Sequence, residues 1–389
     1  MDGVFVVEPL RSPFGGFGGT LSSLSASEIA SFVVKEILSR TGIEDVDGLI
    51  MGNVLSAGVG QSPARQVIIK SGLPYSVNAL TVNKVCGSGL KSLMLAAQSI
   101  KLKDSSLIIA GGMESMSNAP YYLSKARFGY RMGDGRAIDG MIFDGLWDVY
   151  NNVHMGYLAE MVAKAKKITR KIQDDYAVLS YKRAQHSAEN GVFKEEIVPI
   201  EISSRKGVNV VDRDEEPFRV DFEKIPKLKP AFVEDGTITA ANASTISDGA
   251  AAFIVADYDA IKRFGLEPIA KVVAYSEFSL DPKLFPLAPI GAIEKLLKKT
   301  GLDVNDIDLF EINEAFSCVV LAALEELKLD IDRVNVNGGA VSLGHPLGAS
   351  GARLVVSLTR EMRRRNAKYG IAALCIGGGE AVATLFERV

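Results

Sequence analysis

The chain repeats itself, and no other feature constrains its fold as much. The segment KEILSRTGI (35–43) reads like EKLLKKTGL (294–302), each an amphipathic stretch closed by a glycine, Gly42 or Gly301. Glycine adopts the left-handed conformation that caps a helix C-terminus at little cost. An acidic turn and an apolar run follow each, GLIM (48–51) and IDLF (307–310), and then Asn53 and Asn313. Farther on, LIIAGG (107–112) parallels LCIGGG (374–379). Four correspondences in one order imply two halves of one architecture, and 389 residues is enough chain for two cores.

Within each half, apolar periodicity alternates between strand and helix. A helix is expected over 27–41, with Ile29, Phe32, Val33, Ile37 and Leu38 on one face. Residues 79–85 read as a strand, 87–103 as a helix and 105–110 as a buried strand. In the second half, 289–300, 315–328 and 349–363 read as helices and 370–376 as a strand. Such alternation predicts an α/β fold with mostly parallel sheets covered on both faces. Residues 113–245 break the rhythm with a Gly-, Asp- and Met-rich stretch (127–148), a helix (173–190) and a charged, Pro-containing stretch (203–230). They are expected to form an inserted loop domain, since long loops are functional or interactive. The division expected is 1–118 with 246–265 as one half, 119–245 as the insertion and 266–389 as the other half. The basic run KAKKITRK (164–171) reads as a solvated surface.

Composition narrows the function classes. A net charge of -3 gives no general attraction for nucleic acid. No stretch approaches the ~18 apolar residues of a membrane span. The N-terminal run, Met1 to Pro9, has no basic segment leading into a long apolar one, so no secretory signal is expected. Three cysteines, Cys86, Cys318 and Cys375, are too few for a disulfide framework and lack the close pairing of a zinc motif. A reducing, cytoplasmic setting without a bound metal is expected.

Four local patterns can carry chemistry. In TVNKVCGSGLKSL (81–93), a β-like run enters Cys86 and an amphipathic helix leaves it, which places the sulfur near a helix N-terminus that favours an anion. The alternative is a small buried hydrophobe. In NVNGGAVSLGHPLGASGAR (335–353), His345 sits in a Gly-His-Pro turn; imidazole moves protons at neutral pH, but a turn histidine also serves as a plain hydrogen-bonder. Cys375 ends an apolar strand before three glycines, a place where ligands bind or where a core cysteine packs. Asn313 in EINEAFS (311–317) can hold a water or a carbonyl oxygen, or cap a helix. Cys318, inside the apolar AFSCVVLAAL (315–324), reads as core.

Taken together, the blocks NKVCGSGLKS, AGGMESMSNAP, HMG (154–156), NASTISDGAA, NEAFS, NVNGGAVSLGHPLGASGAR and CIGGGEA resemble the thiolase family nearly end to end. The resemblance implies a thiolase-like five-layer α/β/α/β/α fold of two similar halves with an inserted loop domain. It implies Cys86 as nucleophile, His345 as its activator, Cys375 as acid and base, and Asn313 as holder of a catalytic water. Gly377 would share an oxyanion hole with the N–H of Cys86, and His154 would stand near the thioester. The resemblance also implies that Met155, Ala231, Phe232, Ser244, Ala315 and Phe316 line the path of the coenzyme A arm. Arg219 would contact its adenine or phosphate end, with Lys227 and Lys229 adding positive field. No separate cofactor is implied, because coenzyme A is part of the substrates.

Two positions depart from the family pattern, Thr245 after NAS and Glu380 after the three glycines, which bears on pocket size and on polarity beside Cys375. Short-chain biosynthetic members keep the HMG found here, which points to acetyl-CoA and acetoacetyl-CoA. Phe285 then takes a pocket-wall position, or simply packs in the core. The rivals are a degradative 3-ketoacyl-CoA thiolase acting on longer chains, a condensing enzyme that lacks the second cysteine, and a non-catalytic scaffold. The resemblance further implies a homodimer or homotetramer, with residues 120–148 as the tetramer loop and Trp147 and Tyr130 available for contacts.

Overall fold

A computed structural model describes residues 3–204 and 207–389. The first two residues of the N-terminal run and two residues of the charged stretch 203–230 lie outside it. Nine strands form one path: β1 (Val4–Arg11), β2 (Gly48–Gly52), β3 (Asn78–Val82), β4 (Leu107–Ser115), β5 (Ser247–Asp257), β6 (Pro268–Ser279), β7 (Leu309–Ile312), β8 (Tyr369–Ile376) and β9 (Glu380–Arg388). Their order is β7-β8-β9-β6-β1-β5-β4-β2-β3. The helices that matter here are α1 (Ala26–Thr41), α2 (Pro63–Ser71), α3 (Ser88–Lys101), α4 (Met155–Ala165), α5 (Arg170–Glu189), α6 (Ala288–Thr300), α7 (Ser317–Glu326) and α8 (Leu347–Arg365).

The repeat is visible in the pairing. In the first half β2 runs parallel to β3 and β4, β4 is antiparallel to β5, and β5 to β1. In the second half β7 runs parallel to β8 and bridges Val334 in parallel, β8 is antiparallel to β9, and β9 to β6. The halves meet where β1 and β6 pair antiparallel. The expectation of mostly parallel sheets is corrected: antiparallel pairs predominate. In each half the last two strands form a hairpin or return across the insertion, and these connections permit antiparallel neighbours without a crossover helix. Gly42 and Gly301 close α1 and α6 in the left-handed conformation, at φ 68° and 71°.

Strand patterning explains the layers. On β5, Ala251, Phe253 and Val255 join a central core, while Ala250, Ala252, Ile254 and Ala256 face α1 and α2. On β8, Ala372, Leu374 and Ile376 join the central core, while Ile371, Ala373 and Cys375 face the core built with α6, α7 and α4. Both faces of each half-sheet are therefore covered, which is why these strands read as apolar runs. Helices α3 and α8 supply the central core between the half-sheets. They cross closely: a Cβ on Gly89 would lie 2.6 Å from the Ala352 nitrogen, and one on Gly351 would lie 2.4 Å from the Leu90 nitrogen. These glycines set how near the helix after Cys86 comes to the helix after His345. Among the described residues, no helix is long and apolar enough to cross a membrane.

Candidate active site

The strand expected over 79–85 stops at Val82. The chain then turns, with Val85 at φ 46°, a conformation costly for a β-branched residue and worth attention for that reason. Local hydrogen bonds hold it: Val85 N–H donates to Asn83 Oδ1 at 3.0 Å, Ser88 Oγ donates to the Val85 carbonyl at 2.6 Å, and Gly87 N–H donates to the Lys84 carbonyl at 3.0 Å. The result presents Cys86 just ahead of α3, buried, as a free thiol. The backbone N–H groups of Gly377 and of Cys86 itself lie close enough to its sulfur to favour the thiolate.

The helix terminus favours an anion at Cys86, as the sequence leads one to expect, and those donors act in the same direction. Burial outweighs them and, with the Glu114 carboxylate nearby, pushes the thiol up to about 11. The imidazole of His345 is buried too, and burial together with the Arg353 guanidinium lowers it to about 3. Between those values thiol and imidazole are both neutral, so the proton must move as the sulfur attacks. Alkylation of Cys86 by iodoacetamide should then rise about tenfold per pH unit through the neutral and alkaline range. A rate already flat at pH 7 would reveal a preformed thiolate–imidazolium pair.

His345 follows from its turn and from α8. Its N–H donates to the Thr245 carbonyl at 3.1 Å, and its Nδ1 lies 2.5 Å from Ser350 Oγ. Ser350 Oγ in turn donates to the Pro346 carbonyl at 2.9 Å. With its hydrogen so committed, the hydroxyl accepts from Nδ1–H, and Nε2 keeps the lone pair. Nε2 is buried and has no hydrogen-bond partner among the described residues. Asn313 lies behind the ring, with Nδ2 3.4 Å from Nδ1 and Oδ1 3.4 Å from Arg353 Nη2. It does not cap α7, whose N-cap is Phe316. Arg353 also pairs with Glu311 at 2.8 Å, both side chains fully enclosed. Glu114 ties the His345 turn to the other half, accepting from Gly348 N–H at 2.9 Å, Val54 N–H at 3.0 Å and Asn53 Nδ2 at 2.7 Å.

Most of the residues expected to act together line one space; Asn313 does not, being fully buried behind the His345 ring. Cys86, His345, Cys375, Gly377, His154, Met155, Ser244, Ala315, Phe316 and Phe285 surround a cavity of about 50 Å³. Burial, and next the charge of Cys86, push the Cys375 thiol well above the usual thiol range. A larger cleft of about 620 Å³ adjoins it, sharing His154, Ser244, Phe316 and His345 and continuing past Ala231, Phe232 and Thr245 to Arg219. The rings of Phe232 and His154 stack at 4.8 Å, and Gly156 N–H donates to His154 Nδ1 at 3.0 Å, so burial keeps that imidazole neutral with its proton on Nε2. Arg219 stands at the outer end, 3.0 Å from Glu216 and 3.5 Å from Glu215. Lys227 and Lys229 are exposed and are not on the cleft wall. Glu380 points away from the small cavity to Lys84. Cys318 is core, at 0% exposure. Sequence reasoning missed Ser350 and Arg353, which stand on α8 at helical spacing from the turn, and Glu114, whose only signal was its place after two glycines at a strand end.

Comparison with known proteins decides the family. Residues 4–259 match the thiolase N-terminal domain and residues 266–388 the thiolase C-terminal domain. The chain belongs to the thiolase family. It is 48% identical to the acetyl-CoA acetyltransferases of Allochromatium vinosum and Cupriavidus necator, in each case covering 100% of both chains. The crystal structure of human mitochondrial 3-ketoacyl-CoA thiolase superposes with a TM-score of 0.96 at 41% identity, covering 100% of this chain and 99% of that one. Acat5 thiolase from Ascaris suum, solved in complex with coenzyme A, gives 0.92 at 44% identity and full coverage of both chains. The five-layer thiolase fold is thereby established, and with it an enzyme of the acyltransferase class.

Proposed function

We propose that this thiolase is an acetyl-CoA C-acetyltransferase that joins two acetyl-CoA into acetoacetyl-CoA and coenzyme A, reversibly, through an acyl-Cys86 intermediate. One observation carries the reading: two thiols and one imidazole from opposite halves of the chain line a single small cavity of about 50 Å³ at the inner end of the cleft. At roughly 10–15 Å³ per probe sphere, that space suits a short acyl group. The name shared by the relatives at 48% identity supports the same substrate class.

In this reading His345 Nε2 takes the Cys86 proton as the sulfur attacks the thioester carbonyl. The N–H groups of Cys86 and Gly377 receive the oxyanion. The departing coenzyme A thiolate takes its proton from Cys375, leaving acetyl-Cys86, a Cys375 thiolate and a charged His345. A second acetyl-CoA then loses a methyl proton to Cys375. His345 and a water on Asn313 hold the enolate oxygen while its carbon attacks the acetyl group. Cys86 leaves as a thiolate and recovers the proton from His345, so every proton is accounted for. The long apolar cleft past Phe232, Ala231 and Ser244 receives the pantetheine arm, with Met155, Ala315 and Phe316 at its inner end and Arg219 at the nucleotide end.

Exposed apolar side chains on the insertion, Phe128 and Met132 among them, fit self-association as a homodimer or homotetramer. The function is tested by incubating the protein with acetyl-CoA, reading the mass of the Cys86 peptide, and comparing thiolysis of acetoacetyl-CoA with that of a C8 3-ketoacyl-CoA. An acetyl adduct on Cys86 and a preference for acetoacetyl-CoA are expected. A strong C8 preference would assign the chain to long-chain degradation, and no adduct would leave it a scaffold.

A further inference from the structure

Four charged side chains join the two halves beside Cys86 and have no part in the steps above. Lys84, two residues before the nucleophile, places Nζ 2.5 Å from Glu380 Oε2 and 3.5 Å from Glu277 Oε2. Lys91 on α3 pairs with the other oxygen of Glu277. Both lysines come from the first half and both glutamates from the second. Glu277 and Glu380 lie on the neighbouring strands β6 and β9, where Glu277 is opposite Val382 and Ser279 opposite Glu380. Burial would raise the Glu277 carboxyl, but Lys91 and Lys84 hold it below the usual carboxylate range.

What the cluster spans gives it a purpose. On one side is the turn through Lys84, Val85 and Cys86, held at a positive φ by its own short hydrogen bonds. On the other is the turn Gly377–Gly379, with φ 92° and 83° at its last two residues, running directly into Glu380. The contact between Gly377 N–H and the Cys86 sulfur crosses from one turn to the other. The turns are packed against each other, since a Cβ on Gly87 would lie 2.4 Å from Ile376 Cδ1. The first turn is fixed internally and the second is tied to Leu280, whose N–H donates to the Gly379 carbonyl at 2.8 Å, so their separation depends on what links them. Lys84 is a direct polar link from the first turn to the residue that ends the second.

We infer that Lys84 and Glu380, backed by Glu277 and Lys91, form a positioning clamp that sets the spacing of the Cys86 and Gly377 N–H groups. This rests on the proposed reading of those groups as oxyanion donors. Pairs as solvent-accessible as these contribute little to folding stability. Positioning is more demanding: productive donors must hold to within about 0.5 Å, and a 1 Å displacement costs roughly 100-fold. Glu380 is one of the two departures from the family pattern noted in the sequence.

The test uses Lys84→Met, Glu380→Met, the double variant and Lys84→Arg, assayed by steady-state thiolysis of acetoacetyl-CoA. Each methionine variant should lose about tenfold in kcat, with KM for coenzyme A changed less than about twofold and the urea midpoint nearly unchanged. The double variant should fall no further than the weaker single, and Lys84→Arg should keep most of the rate. Raising ionic strength toward about 1 M, where the screening length is about 3 Å, should lower kcat of the wild type and leave the double variant flat. Single variants at wild-type kcat, losses confined to KM, or losses that add in the double variant would each overturn the clamp. If a methionine variant fails to fold, Lys84→Arg and the salt titration of the wild type still decide. Absence of acetyl-Cys86 in the wild type would remove the underlying reading, whereas acylation of Lys84→Met at the wild-type rate would remove only the clamp.

Discussion

Cys375→Ala should lower both the synthesis and the thiolysis of acetoacetyl-CoA by ~100–10,000-fold, the usual worth of a positioned acid–base group. Cys86 in the same variant should still react with iodoacetamide. Taking a proton from a methyl carbon beside a thioester needs a strong base, and burial, which persists when Cys86 is acetylated, raises the Cys375 thiol well above its usual range. A thiolate generated there, after its proton has gone to departing coenzyme A, is a stronger base than an exposed one. The substitution removes one sulfur from an otherwise intact strand, at about 1 kcal/mol of stability. Initial rates in both directions, with mass spectrometry of the Cys86 peptide, check this. Full condensation activity in the variant would place the protein with condensing enzymes that use another proton route.

Arg353→Met should destabilise the protein by about 1–3 kcal/mol, because it leaves the Glu311 carboxyl, which burial already pushes up to about 8, buried without its partner. Urea denaturation reads that loss as a lower midpoint with an unchanged slope. The double variant Arg353→Met/Glu311→Leu should recover most of the stability, since an apolar pair of similar volume can replace a buried ion pair. Activity should not return with it. Arg353 Nη2 is a donor only, so it fixes Asn313 with Oδ1 toward the guanidinium and Nδ2 toward His345. Without Arg353 the amide is free to turn over, and His345 loses the neighbouring charge that helps keep it neutral. A double variant with restored stability and wild-type kcat would show that the pair serves folding alone.

The candidate reactive groups were legible in the sequence because their local surroundings are unusual. A lone cysteine before Gly-Ser-Gly, a histidine in a Gly-His-Pro turn and a strand ending in three glycines are each recognisable without neighbours. The helices were legible for a similar reason: α1 and α6 carry an apolar stripe and end at a glycine. The sheet was harder to read. Strands buried on both faces show no alternation, so β5 and β8 look alike whether their neighbours run parallel or antiparallel. The turn at Val85 was missed because a β-branched residue carries strand propensity, and it takes a positive φ only where surrounding hydrogen bonds compel it.

The sequence by itself therefore determined the duplication, the helices and the candidate reactive groups, since each depends on residue type and short-range spacing. The tertiary structure alone decided that Cys86, His345 and Cys375 share one small cavity, because the close crossing of α3 and α8 brings the two halves together there. It also decided their protonation. A helix terminus favours an anion, but enclosure in an apolar interior costs the charged form more. That enclosure is a property of the folded molecule and of no segment within it.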